Sequence, residues 1–136
     1  MSAGGKGPSR ESYVYFPGCS LSANGIAYDE SLRTLYRLLG VKLKELEDWN
    51  CCGATSYMCI DEGSAFLLSA RNLSIAHQMG AQDILAPCSA CYLVLRKTQD
   101  YIARHPSVRL KVAQSLDRAG LGPLNAVQVK PPVVDL

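Results

Sequence analysis

Five of the six cysteines fall into three groups whose spacing suits a metal centre. These cysteines are Cys19, Cys51, Cys52, Cys88 and Cys91. Thirty-one residues separate the first group from the second, and Gly53 with thirty-four further residues separates the second from the third. Cysteine thiolates bind zinc and iron–sulfur clusters, so metal ligation or redox chemistry is the function that these residues indicate.

The pair formed by Cys88 and Cys91 is compatible with several chemistries on its own. At the start of a helix its two sulfurs lie on one face, where free backbone N–H groups and the helix dipole favour the thiolate. A thioredoxin-like redox pair and a zinc site both use this spacing. The pair therefore does not decide between redox chemistry and metal binding.

The adjacent residues Cys51 and Cys52 favour a cluster of several irons. Two neighbouring residues cannot easily bind one tetrahedral ion, because the peptide between them would be strained, but they can reach two neighbouring irons. Gly53 has no Cβ and can bring the main chain close to such a group. Five thiolates are also one more than a closed zinc site takes. An iron–sulfur cluster is the main prediction, with zinc, plain thiols and a vicinal disulfide as alternatives.

Composition and charge exclude other classes of function. The chain has 136 residues, of which 48% are hydrophobic and 19% charged, values typical of one globular domain. Its net charge is only +2, and no cluster of basic residues is longer than a pair, so nucleic acid is not a predicted partner. No apolar run resembles a secretory signal or approaches the roughly 20 residues of a membrane span. A cytoplasmic protein with reduced thiols is therefore expected.

Hydrophobic patterns predict alternating strands and helices that position the cysteines. The predicted strands are 12–16, 41–49, 83–86 and 126–129. The predicted helices are about 27–39, 61–79, 89–104 and 108–119, with Asp61 as an N-cap. This order predicts an α/β fold with a small, mainly parallel sheet flanked by helices. Because each cysteine group follows a strand, the metal centre is expected at the carboxyl edge of the sheet.

The residues around the cysteines resemble the CCG domain of the B-type subunit of heterodisulfide reductase. The matching segments are Tyr15-Phe16-Pro17-Gly18-Cys19-Ser20-Leu21, Asp48-Trp49-Asn50-Cys51-Cys52-Gly53-Ala54 and Ala86-Pro87-Cys88-Ser89-Ala90-Cys91-Tyr92. The resemblance runs from about Tyr13 to about residue 134. Glycolate oxidase, lactate-utilisation and fumarate reductase subunits also contain CCG domains, but the segments around Cys19 and Cys88 are closer to the heterodisulfide reductase family.

The resemblance implies a noncubane [4Fe–4S] cluster. Its ligands would be Cys19, Cys51, Cys52, Cys88 and Cys91. In that family two such domains lie in tandem, and a disulfide substrate is cleaved between their clusters. Electrons arrive from two further heterodisulfide reductase subunits, one with cubane clusters and one with a flavin. The resemblance thus implies an oxidoreductase acting on sulfur groups, similar to the CoB–CoM heterodisulfide reductase.

Only one CCG motif is present in this sequence. Residues 12–125 are predicted to form the cysteine-rich CCG domain, residues 1–11 a disordered tail, and residues 126–136 the start of a linker or of a second domain. The chain alone is expected to be an incomplete catalyst that needs a second CCG domain. The alternative is a non-catalytic electron-transfer or zinc-binding subunit of another oxidoreductase, of the succinate/fumarate or glycolate type.

Residues outside the motif are given structural or supporting roles. Cys59 is predicted to be a buried structural thiol, since free cysteine packs as a small hydrophobe. His77 and His105 have no partner at metal-ligand spacing. Three polar residues adjoin the ligand cysteines and are candidates to donate hydrogen bonds to the sulfurs: Ser20, Asn50 and Ser89.

Overall fold

Four parallel strands form one sheet in the computed structural model, which describes residues 12–54, 59–122 and 127–132. The strands are β1 (Ser12–Tyr15), β2 (Lys42–Glu45), β3 (Asp83–Leu85) and β4 (Gln128–Lys130). Their order is β2-β1-β3-β4, and every neighbouring pair is parallel. The predicted α/β class with a mainly parallel sheet is confirmed.

Helices connect these strands. Within the described ranges they are α1 (Gly18–Leu21), α2 (Ile26–Leu38), α3 (Glu62–Gln78), α4 (Ser89–Arg104) and α5 (Pro106–Arg118). The four predicted helices are confirmed to within two residues at each end, whereas α1 replaces a predicted loop. In the part of the chain that the structure describes, no helix is both long enough and apolar enough to span a bilayer.

Cap residues set the ends of the longer helices. The carboxylate of Asp61 accepts a hydrogen bond from the backbone N–H of Ser64 at 3.2 Å, which confirms it as the N-cap of α3. Gly40 and Gly80 follow α2 and α3 with φ of 75° and 78°, the left-handed conformation that ends many helices. These caps fix where α2 ends and where α3 begins and ends.

Helices cover both faces of the sheet. Neighbouring residues of a strand point to opposite faces, so β1 and β3 contribute to the cores on both sides. On one face, strand residues pack with α3 and α4 in a core that contains Val14, Ile84, Val129, Leu73 and Leu95. On the other face, strand residues pack with α2 in a smaller core that contains Tyr13, Tyr15, Leu85, Leu32 and Tyr36. The cysteine groups lie at the end of this layered structure.

Two of the predicted strands differ from those observed. β2 is shorter than predicted because a turn at residues 47–48 follows it, with Asp48 at a φ of 48°. β4 pairs with β3, with Val129 opposite Ile84, so it belongs to the sheet of the cysteine-rich unit. The division of the chain at residues 125–126 stays a prediction. The predicted tail at residues 1–11 and, within the segment 126–136, residues 126 and 133–136 lie outside the described residues.

Candidate metal centre

The three cysteine groups lie beyond the carboxyl ends of three adjacent strands, as predicted. Cys19 follows β1 in the first turn of α1. Cys88 follows β3 as the N-cap of α4, and Cys91 lies in the first turn of that helix. The vicinal pair follows β2 in a segment without regular structure. Because β1 pairs with both β2 and β3, the three connections meet at one edge.

Four of the sulfurs form two close pairs. The Sγ atoms of Cys19 and Cys51 are 3.9 Å apart, and those of Cys52 and Cys91 are 3.4 Å apart. Cys19 and Cys51 are exposed, whereas Cys52 and Cys91 are buried. Each pair joins residues from different connections, so the fold brings all three cysteine groups together.

Electrostatic interactions link the two pairs and Cys88 into one set. A hydrogen bond with Cys91 is the largest cause that lowers the pKa of Cys52 to about 7, and Cys51 acts in the same direction. The pKa of Cys91 is raised, first by the hydrogen bond with Cys52, then by burial and by Cys88. Burial is the largest cause that raises the pKa of Cys51, to which Cys19 and Cys52 add. The five sulfurs thus interact in one continuous series.

The five thiols have the donor chemistry of a metal centre. Across the described ranges, no three Cys, His, Asp or Glu side chains are placed close enough to form a ready-made site for a metal ion. A zinc site needs four ligands around one point, whereas an iron–sulfur cluster takes thiolates at different irons. The five-thiol donor set therefore fits an iron–sulfur cluster.

Two glycines with positive φ leave space beside the sulfurs. Gly18 has a φ of 75°, and a Cβ at this position would lie 2.7 Å from the Sγ of Cys91. Gly53 has a φ of 79°, and its N–H donates to the Sγ of Cys51 at 3.4 Å. The sequence predicts the special backbone of Gly53, whereas it carries no such prediction for Gly18. The signal for Gly18 is a glycine directly before a candidate ligand.

Side chains of α3 hold the main chain around the vicinal pair. The amide of Asn72 accepts from the N–H of Asn50 at 3.0 Å and donates to its carbonyl at 2.7 Å. The hydroxyl of Ser69 donates to the carbonyl of Cys52 at 2.9 Å. These contacts join the irregular segment to a regular helix, and the sequence carries no pattern that predicts them.

The side chain of Asn50 forms hydrogen bonds that hold the same segment. Its amide donates to the carbonyls of Cys51 at 2.8 Å and Leu68 at 3.0 Å, and it accepts from Arg71 at 2.8 Å. Both of its N–H groups are therefore taken by carbonyls, and the prediction that Asn50 donates to a ligand sulfur is wrong. Ser20 and Ser89 are exposed, and their role toward the sulfurs stays a prediction.

The other cysteine and the histidines lie apart from this set. Cys59 is exposed, so its prediction as a buried thiol is wrong: it lies just before the N-cap of α3, at the exposed end of that helix. His105 joins α4 to α5, and its ring stacks on Tyr101 with centroids 4.0 Å apart. His77 lies near the carboxyl end of α3, far along the helix from its capped start.

Comparisons with known proteins match this cysteine-rich unit. The family model described as a cysteine-rich domain, CCG, matches residues 13–96. The chain is 37% identical over 95 residues to the 8-methylmenaquinol:fumarate reductase membrane anchor subunit of Wolinella succinogenes, covering 70% of this chain and 33% of that protein. It is 28% identical over 109 residues to a heterodisulfide reductase B-subunit-like protein of Archaeoglobus profundus, covering 79% of this chain and 36% of that protein. The chain thus spans about a third of the length of these curated relatives.

A solved structure shares the fold. It is the crystal structure of a hypothetical protein from Helicobacter pylori, matched with a TM-score of 0.78 at 16% identity. The match covers 90% of this chain and 24% of that chain. At this identity the likeness extends to the fold alone, and the chemistry of the site rests on the residues described above.

Proposed function

This chain belongs to the cysteine-rich CCG domain family, and from that premise we propose that it is the iron–sulfur part of a heterodisulfide-reductase-like complex. The proposed ligands are Cys19, Cys51, Cys52, Cys88 and Cys91. One observation carries the proposal: three connections of a parallel sheet bring these sulfurs into a single interacting set, with the closest pairs 3.4 and 3.9 Å apart.

The proposed cofactor is a [4Fe–4S] cluster of the noncubane type. The count of five thiols and the adjacency of Cys51 and Cys52 support a cluster with unusual ligation over a zinc ion. When bound, such a cluster supplies electron transfer and an iron accessible to a sulfur ligand. The chain itself holds Cys52 and Cys91 in its interior and presents Cys19 and Cys51 to solvent. The exposed pair defines the side from which a substrate or a partner approaches.

The proposed activity is the reduction or formation of a disulfide substrate. Reduction adds two electrons and two protons to the disulfide and releases two thiols. We assign the electron supply to a partner with cubane clusters and to a flavin-containing partner, and the other half of the site to a second CCG domain. The heterodisulfide-reductase-like relative supports this assignment. We propose that the complex works in the cytoplasm.

A second candidate function is electron transfer without disulfide chemistry, in an oxidoreductase of the succinate/fumarate or glycolate type. The observation in its favour is the 37% identity to a fumarate reductase membrane anchor subunit, higher than the 28% identity to the heterodisulfide-reductase-like protein. Zinc has no redox chemistry, so a zinc-loaded form of this domain would serve only docking. Assays of the purified complex with a disulfide and with fumarate separate the two candidates.

Elemental analysis tests the cofactor directly. Protein purified without oxygen is expected to contain about four irons per chain, with matching acid-labile sulfide and no zinc. The measurement is iron, sulfide and zinc on the same sample. Stoichiometric zinc without sulfide would contradict the proposed cofactor.

A further inference from the structure

Helix α3 carries two buried polar side chains whose partners are main-chain groups of the vicinal cysteine segment. Ser69 and Asn72 both have 0% of their surface exposed. A buried polar side chain costs free energy unless it is hydrogen-bonded. The bonds of these two residues reach Asn50 and Cys52, on either side of Cys51.

The geometry of these hydrogen bonds fixes both the position and the orientation of the main chain around Cys51. Asn72 binds both the N–H and the carbonyl of Asn50, so this residue is held at two points of its backbone. Ser69 holds the carbonyl of Cys52. Because residues three apart lie on one face of a helix, both anchors belong to one rigid surface. Cys51 is the single residue between the two held positions.

We propose that Ser69 and Asn72 are positioning residues that aim the sulfurs of Cys51 and Cys52. They hold the main chain on both sides of Cys51, so that its sulfur reaches Cys19 while the sulfur of Cys52 reaches Cys91. This inference rests on the proposed cluster function. None of their three hydrogen bonds to this segment involves a sulfur, so both residues act through the backbone.

Arg71, also on α3, holds the main chain of the same segment at Asp48. Its guanidinium donates to the carbonyl of Asp48 at 2.7 Å and to the Asp48 carboxylate at 2.6 Å. Asp48 has a φ of 48°, a conformation that few residues other than glycine adopt. Three side chains of one helix therefore hold residues 48, 50 and 52.

Ser74 offers a matched control on the same helix. Its side chain is also 0% exposed, and its hydroxyl donates to the carbonyl of Gly122 at 2.6 Å, in a segment that carries no cysteine. Ser69→Ala and Ser74→Ala thus each delete one buried hydroxyl and leave one carbonyl without its donor. A purely structural role predicts the same consequence for both variants.

The test compares the release of iron to a chelator from the cluster-loaded variants. Loss of a partner behind a metal ligand typically weakens metal binding about 10–100-fold. Ser69→Ala is therefore expected to release iron at least about 10-fold faster than wild type and to change the cluster's electron paramagnetic resonance spectrum. Ser74→Ala is expected to match wild type in both measurements. Equal release from the two variants overturns the inference.

Hydrogen exchange in the metal-free protein provides a readout that needs no cluster. Asn72→Ala and Ser69→Ala are expected to speed amide exchange at residues 50–53, and Ser74→Ala is expected to leave it unchanged. If the wild type holds no iron, the proposed function fails, and this exchange still decides the positioning role. Unchanged exchange at residues 50–53 in a folded Ser69→Ala protein overturns the inference, whether or not Asn72→Ala folds.

Discussion

Cys52 and Cys91 share a buried contact in which Cys52 is the more acidic sulfur. The pKa of Cys52 is lowered to about 7, first by the hydrogen bond with Cys91, while the pKa of Cys91 is raised by the same contact. Metal ligands must be deprotonated, so Cys52 is the buried sulfur that is closer to its binding form at neutral pH. The exposed pair of Cys19 and Cys51 and the half-buried Cys88 complete the set.

Serine variants separate ligand cysteines from the remaining cysteine. Cys51→Ser is expected to lose the cluster, because the hydroxyl is a poor replacement for a thiolate at iron. Cys59→Ser is expected to keep it, since Cys59 is exposed and lies outside the sulfur set. The measurement is iron and sulfide per chain with the visible absorption spectrum. An empty site in Cys59→Ser would refute the ligand assignment.

A glycine pair tests the space beside Cys91. Gly18→Ala and Gly120→Ala both place a side chain at positive φ, 75° and 74°, which costs about 1–2 kcal/mol of stability. Only at Gly18 would the new Cβ lie 2.7 Å from the Cys91 Sγ, whereas nothing lies within 4 Å at Gly120. Gly18→Ala is therefore expected to lose most of its iron and Gly120→Ala to retain it.

The two glycine variants are compared by iron content and by thermal unfolding of the metal-free forms. Thermal unfolding measures how much stability each variant loses. Because both new alanines are at positive φ, this backbone cost is the same in both variants, and a difference in iron content then reports the contact with Cys91. Full iron loading of Gly18→Ala would show that the cluster tolerates a displaced Cys91, against the expectation.

At the scale of elements, the sequence predicts those with strong boundary signals and misses those formed by packing. α4 is predicted from end to end, because Pro87 ends the preceding strand and the residue before Pro106 ends the helix. α1 is missed: it has four residues, begins at a glycine and buries Leu21, so tertiary contacts outweigh its weak propensity. The contacts of Ser69 and Asn72 are missed for a related reason. The hydrogen-bond partners of a serine or an asparagine in a helix cannot be identified from the sequence, because they depend on where the neighbouring loop lies in the fold.

The cap of α3 supplies a prediction with a defined pH dependence. Asp61→Ala is expected to lower the thermal midpoint of the metal-free protein at pH 7, because α3 loses the bond from Ser64. Hydrogen bonds from the Ser64 side chain and backbone lower the pKa of Asp61. The stabilisation is therefore complete above the unfolded pKa of about 3.9 and is lost as the pH falls through the folded pKa.

Circular dichroism melts at pH 7 and at about pH 3 measure this effect. The difference between Asp61→Ala and wild type is expected to be smaller at the lower pH. Asp100→Ala is the control, because its exposed ion pair with Arg104 contributes little. A difference that stays constant across this range would argue against the carboxylate cap.

The main core of the molecule extends to its cysteine edge. Fully buried apolar residues such as Leu73, Ile84 and Leu95 lie within the layers, the cysteine groups lie in connections at one end, and Cys52 and Cys91 are buried in the same core. The parallel alternation of strands and helices was predictable from the order of the apolar patterns. The position of β4 beside β3 could not be predicted, because the apolar pattern of a strand does not indicate which strand it pairs with.

Removal of the proposed cluster is expected to loosen the cysteine edge and to leave the layers folded. A bound ligand stabilises the folded state that it selects, so the metal-free form should have a lower thermal midpoint. Its far-ultraviolet circular dichroism should remain close to that of the loaded form, because most of the buried core consists of residues other than cysteine. Faster hydrogen exchange is expected mainly at residues 16–22, 46–54 and 86–92. Complete loss of the helical signal on chelation would contradict this separation.

The spacing of the two sulfur contacts has a consequence for synthesis of the chain. They join residues 32 and 39 positions apart, and the second requires the connection that follows β3. At 5–20 residues per second, the ribosome makes Cys91 about 2–8 s after Cys52. Until Cys88 is made, the nascent chain carries three motif thiols, and until Cys91 is made it has no complete set of the proposed ligands. The proposed cofactor is therefore expected to be bound only after the connection that follows β3 has been made.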